Sequence, residues 1–220
     1  QITSDVAAIQ STLLSTPRHS GADGPESGME AIYQAASGAG YDQGCDGSFD
    51  SVDVPPFVAD ESDLFGGTAQ AYDESLPGGG TKGGFGFRDF ALPVIVYAID
   101  NYLRDREAGY GTPGGCPLDA GNSDVTSAVN DLGAKLIGMA IGGGSGYSQM
   151  EALAHSTRSY ADTTGDGSAD DPLVFRWSSS SSAFRSTIVN AIQDLVRSVV
   201  FTNVEMVSPD DTYGFVRNIN

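Results

Sequence analysis

Two segments of this 220-residue chain are apolar almost without a break: Leu92-Pro93-Val94-Ile95-Val96-Tyr97-Ala98-Ile99 and Ala134-Lys135-Leu136-Ile137-Gly138-Met139-Ala140-Ile141. A strand with one wet face would alternate apolar and polar residues, whereas a continuous apolar run marks a strand of a parallel sheet buried on both faces. The longest run, Phe90 to Ile99, reaches about half of what a bilayer span requires, so no membrane insertion is expected. Asp124 to Leu132, between the two runs, reads as a helix. After them come helical spacing from Ser148 to Arg158 and a short strand from Leu173 to Trp177. A last amphipathic helix carries Phe184, Ile188, Val189, Ile192, Leu195, Val196 and Val199. Strands alternating with helices predict the α/β class, a doubly wound, Rossmann-like parallel sheet with right-handed crossovers.

Upstream, Val6, Ile9, Leu13 and Leu14 fall at helical spacing behind Ser4 and Asp5, and Pro17 ends the pattern. A second helix is expected from Asp23-Gly24-Pro25-Glu26. Asp23 with Glu26 three residues on forms a capping-box arrangement; Met29, Ile32, Tyr33 and Ala36 follow along one face, and Gly38 closes it. Residues 39–88 are rich in Gly, Asp, Ser and Pro without sustained periodicity, as in a functional or variable insertion. Residues 1–200 are thus expected to form one unit. Residues 201–220 are a weakly alternating tail that reads as the start of a further β module.

Eleven Lys and Arg against 29 Asp and Glu leave a formal charge of −18, and no basic stripe reverses it locally. Phosphate backbones and anionic lipid would be repelled, so nucleic acid is not an expected partner. Cys45 and Cys116, the only two cysteines, sit in Gly-rich polar stretches and read as a disulfide, with free thiols or part of a metal site as alternatives. A bridge would place the protein outside the cytoplasm, secreted or at the cell surface.

Ligands of open parallel sheets bind beyond the carboxyl ends of strands, where Asp100 ends the first apolar run. Asp23, Glu26 and Asp100 together would suit Mg²⁺ or Ca²⁺, hard cations that take carboxylates, hydroxyls and water. Two other readings stay open: a plain capping box for Asp23 and Glu26, and a helix-capping role for Asp100. Asp162-Thr-Thr-Gly-Asp166-Gly-Ser-Ala-Asp170-Asp171 meets part of a calcium-loop pattern but has Thr164 at the third position and Leu173 where the bidentate Glu belongs, so a solvated polar turn competes with it. No Gly-x-Ser-x-Gly elbow is present, and His155 falls among Ala and Leu as a structural residue would. The Gly-rich run at 77–84 lacks a preceding strand, which makes it a loop rather than a phosphate cradle. Catalysis is therefore not expected.

The segment 19–35, His-Ser-Gly-Ala-Asp-Gly-Pro-Glu-Ser-Gly-Met-Glu-Ala-Ile-Tyr-Gln-Ala, followed by the runs at 92–100 and 134–141, resembles the second half of a von Willebrand factor A domain. The nearest likeness is to the I-like domain of integrin β subunits and related bacterial secreted proteins. The resemblance implies that Glu26 is a ligand of a metal-ion-dependent adhesion site, that Asp23 belongs to a neighbouring calcium site, and that Asp100 is an outer ligand reached through water. The family's Asp-x-Ser-x-Ser motif has no counterpart behind an apolar run; Asp46-Gly-Ser48-Phe-Asp50 lacks the third hydroxyl and the strand. The resemblance thus implies that only the C-terminal strands and helices are present. The expected function is an extracellular module that binds a protein or glycan partner through a divalent cation. The alternative is a structural subunit of a surface assembly whose acidic loops hold calcium for rigidity. A complementary polypeptide would supply the missing half of the sheet, unless Pro55 to Val58 or Gly84 to Phe87 folds back to do so.

Overall fold

A computed structural model describes residues 6–15, 24–50, 52–58, 70–71, 80–111, 119–142, 145–177 and 181–198. In chain order these form α1 (Val6–Ser15), α2 (Gly28–Ser37), β1 (Phe57–Val58), β2 (Gln70–Ala71), β3 (Val94–Ile99), α3 (Asn122–Leu132), β4 (Lys135–Ile141), α4 (Tyr147–Ser156), β5 (Tyr160–Ala161), β6 (Asp171–Pro172), β7 (Val174–Trp177) and α5 (Ser181–Ser198). The tail 201–220 and the proposed caps at Ser4 and Asp5 lie outside the described residues.

β3, β4 and β7 make one parallel sheet in that order, with Val94 opposite Lys135 and Gly138 opposite Val174. Parallel neighbours need a crossover, and α3 and α4 supply the two connections. Alternation along β4 sends Leu136 and Ala140 into a cluster with α2, α3 and α4, and sends Ile137 into a second cluster with Ala191 and Leu195 of α5. Helices thus cover both faces, which is the α/β arrangement. Leu136, Ile137 and Met139 are fully buried, each adding about 1.5–3 kcal/mol through removal of apolar area from water. β4 meets the expectation of a strand buried on both faces because it has a strand on either edge and helices above and below.

β3 departs from that expectation. Ile95 and Ile99 are buried against α2 and α3, but Val96 and Ala98, on the face towards α5, are exposed. The reason is coverage: α5 packs on β5 and β7, and on this face only Val94 of β3 reaches the cluster it forms. Neither stretch of the insertion repairs this. Phe57–Val58 pairs with Gln70–Ala71, and Gly84 to Phe87 lie in a local turn closed by Lys82 and Phe87, whose Phe87 side chain packs on the α2–α3 side.

The helices end where their chemistry predicts. Gly38 closes α2 in the left-handed region at φ 66°, donating its N–H to the Gln34 carbonyl, and Gly133 does the same for α3 at φ 68°. α1 has no buried residue, so Val6, Ile9, Leu13 and Leu14 all face solvent.

Candidate functional site

The site region is built where the chain leaves β3. Pro25 disfavours a helical conformation at Gly24, and the chain then bridges at Glu26 to the continuation of β3. The N–H of Glu26 donates to the Tyr102 carbonyl at 2.8 Å and the N–H of Arg104 donates to the Glu26 carbonyl at 2.7 Å, a parallel bridge of Glu26 with Leu103. The capping-box expectation is corrected accordingly: α2 starts at Gly28 behind Ser27, with no side-chain cap, and Glu26 belongs to the bridge. The entry depends on Gly28, since a Cβ there would run into the buried Leu103 side chain.

Side chains lock this arrangement from two directions. Gln149 of α4 accepts from the Leu103 N–H and donates to the Leu103 carbonyl, both at 2.7 Å, taking the place of a neighbouring strand. The buried Arg104 guanidinium donates to the carbonyls of Pro25 and Gly111, each at 2.7 Å, and lies 3.5 Å from the buried Asp119 carboxylate. Tyr41 in turn donates its hydroxyl to Asp119 at 2.8 Å. Sequence reading missed Arg104 and Asp119. Their only signal was the placement of Arg104-Asp105-Arg106-Glu107 directly after an apolar strand, where charges must be paired if the loop is buried.

Around the start of α3 more carboxylates satisfy backbone donors. Asp105 accepts from the N–H groups of Glu107 and Asn122, and Asp124 accepts from Gly121 and from Arg106. Glu107 takes both the N–H and the hydroxyl of Ser123. Negative groups here complement the helix dipole. Glu30 of α2 is buried and accepts from the Ala120 N–H and from Gln34, both at 2.7 Å. Its pKa lies above the ordinary 4.5, chiefly because burial penalises the charge. A raised carboxyl pKa in the folded state means stability that is full below about pH 4.5 and is lost as pH rises through the folded value. Glu30→Gln is therefore expected to flatten the fall in stability from pH 4 towards neutrality, read by denaturant unfolding at several pH values; an unchanged slope would contradict it.

Glu26 and Asp100 are both exposed at the carboxyl end of the sheet, with Asp100 three residues before the position that Glu26 pairs. Asp23 lies outside the described residues. The loop proposed for calcium is organised internally: Asp162 accepts from the N–H groups of Gly165, Asp166 and Gly167, and Asp166 accepts from Ser168. Asp171, the last residue of that segment, closes the β5–β6 hairpin by accepting from the N–H groups of Thr163 and Thr164 and the Thr163 hydroxyl, bonds that hold its carboxyl below the usual range. Asp170 itself is exposed. A second acidic loop behaves similarly, Asp42 accepting from Gly47, Asp46 from Ser48 and Asp53 from Gly44 and Asp50. Among the described residues no group of three or more His, Cys, Asp or Glu side chains is placed to hold a metal ion.

Cys45 is disulfide-bonded; Cys116, the only other cysteine in the chain, lies outside the described residues. His155 shares a 2.5 Å hydrogen bond with the Tyr160 hydroxyl, and His19 is outside the described residues. A cleft of about 590 Å³ between α2 and α3 is lined by Tyr33, Ser37, Lys82, Asp124, Ser127 and Asp131 among others, and includes neither Glu26 nor Asp100. No described helix is long and apolar enough to cross a membrane. No family model, no curated protein and no solved structure matches the chain.

Proposed function

We propose that this chain is the C-terminal part of a von Willebrand factor A-like binding module, secreted or at the cell surface, that recognises a protein or glycan partner through a divalent cation. The observation that carries the reading is the Glu26–Leu103 bridge. It sets Glu26 against the continuation of a parallel strand, so that Glu26 and Asp100 stand at the carboxyl edge where ligands of such sheets bind. Their exposed carboxylates suit Mg²⁺ or Ca²⁺ in kind. In number they fall short among the described residues, and the reading takes Asp23 and a complementary polypeptide as sources of further oxygens. When bound, the cation supplies an open coordination position for an acidic or hydroxyl group of the partner. The disulfide-bonded Cys45 supports an oxidising compartment.

The expected result of calorimetric titration with Ca²⁺ or Mg²⁺ is an affinity of about 10⁻⁴–10⁻³ M, as in extracellular modules. Glu26→Ala and Asp100→Ala should each weaken it about tenfold or more while changing metal-free stability by no more than about 0.5 kcal/mol, since both side chains are exposed. Titrations without heat for either cation, or unaffected by both substitutions, would overturn the reading. The structural-subunit alternative is favoured by the acidic loops, which are organised by carboxylate-to-backbone bonds. It predicts partner association that survives a chelator.

A further inference from the structure

We propose that the cleft between α2 and α3 binds a neutral saccharide about two rings long, without a metal ion. The two helices run the same way: Glu30 in the first turn of α2 accepts from the Ala120 N–H just before α3, and the turn at Gly83 sits against Ala36 and Leu132 near the two C-terminal ends. Tyr33, Ala36 and Ser37 stand at i, i+3 and i+4 on α2, and Asp124, Ser127, Ala128 and Asp131 stand at i, i+3, i+4 and i+7 on α3. Each set therefore shares one helix face, and the two faces are the walls of the cleft. Lys82 and Gly83 close one end; a Cβ at Gly83 would stand 2.8 Å from the Ala36 carbonyl oxygen. At the other end the cleft of about 590 Å³ adjoins a cavity of about 250 Å³ that shares Tyr33 and Asp124 and adds Arg106. Sites for small molecules usually measure about 300–1,000 Å³.

The lining selects the ligand. Its carbon surface is small, consisting of Ala36, Ala128, Leu132 and the half-buried Tyr33, which also packs against the core. That suits the C–H face of a pyranose ring better than a fatty chain. Around it stand groups of both signs and both hydrogen-bonding senses. Lys82 gives one N–H to Asp89 at 2.7 Å, and an ammonium carries three. Asp124 takes the Gly121 N–H and Arg106 on Oδ2, which among the described residues leaves Oδ1 to accept from a ligand. Ser127 donates to Asp131 at 3.3 Å, a long bond that an incoming hydroxyl can replace. A sugar hydroxyl donates and accepts at once, so it matches carboxylates along one wall and an ammonium at the end. An anion would be repelled by Asp124, Asp131 and the charge of −18, while an organic cation would meet Lys82 at one end and Arg106 at the other. Asp124 and Asp131 lie two helical turns apart, about 10 Å along α3, which two linked rings span. The cleft includes neither Glu26 nor Asp100, so the proposal does not rest on the divalent-cation reading and either can fail alone.

The test titrates the full ¹⁵N-labelled chain, in buffer with a chelator, with cellobiose, lactose, maltose and diacetylchitobiose, and with the diamine putrescine as a cationic control. At least one disaccharide should give saturable millimolar shifts at the amides of Tyr33, Ser37, Lys82, Ser127 and Asp131, and Glu26→Ala should leave them unchanged. Ser127→Phe fills the cleft from an exposed helical position, so it should keep the fold by circular dichroism and abolish the shifts. Tyr33→Leu keeps packed carbon but removes the ring, and should weaken binding about tenfold or more. No saturable shift with any of the four sugars, undiminished binding by the folded Ser127→Phe chain, or binding lost with Glu26→Ala would overturn the proposal. Shifts at these amides with putrescine alone would assign the cleft to an organic cation and overturn it equally.

Discussion

Arg104→Ala is expected to lower folding stability by about 3–5 kcal/mol, the usual cost of removing one partner from a buried, hydrogen-bonded charge pair. The guanidinium is buried, spans the carbonyls of Pro25 and Gly111, and faces the buried Asp119. Its removal leaves the buried Asp119 carboxylate without that cation and the Pro25 and Gly111 carbonyls without their guanidinium donor. Arg104→Lys should recover only part of the loss, because an ammonium cannot reproduce a planar fork aimed at several acceptors. Denaturant unfolding measures both variants. The same substitutions should free Pro25 and Glu26 from β3, seen as faster exchange of the Glu26 and Arg104 amides, and should weaken any divalent binding that depends on Glu26. A loss below about 1 kcal/mol for the alanine variant would mean that the pair contributes little to holding the segment.

Reduction of the disulfide is expected to be nearly as damaging. Cys45 is disulfide-bonded, and the sequence offers Cys116 as its only intramolecular partner, about 70 residues away. A loop of that length corresponds to about 4 kcal/mol in the chain-entropy account of cross-links. For a protein of this size that is a fall of about 10 °C in melting temperature. Intact mass after alkylation without reductant should show no modified thiol, and calorimetry with and without reductant gives the shift. Alkylation of both cysteines, or a melting temperature indifferent to reductant, would contradict the expectation.

The contrast between Glu26 and the interior of β4 marks how far the sequence could be read. The nearly unbroken apolar run at 134–141 predicts a strand buried on both faces, and β4 meets that expectation. At 23–26 two physical options competed within a few residues: a capping box, worth about 1 kcal/mol locally, and a bridge to a segment far along the chain. The bridge won because Pro25 favours an extended approach, and Gln149 and Arg104 hold the partner segment in place. No local pattern contains that information. The same applies to Asp171, which closes its hairpin through bonds to Thr163 and Thr164 that matching to a calcium-loop pattern would not suggest.

By itself, the sequence determined the α/β class, the positions of β3, β4, β7 and their helices, the glycine stop at Gly38 and the strong negative charge. All of these depend on periodicity, local sterics or composition, which act over a few residues or over the whole chain. Only the tertiary structure decided that Val96 and Ala98 of β3 are exposed, that Arg104 and Asp119 are buried together, and that Glu26 bridges to Leu103. These depend on which distant segment packs on a given surface. That is a matter of three-dimensional coverage and hydrogen-bond satisfaction, which a run of apolar residues requires but does not assign.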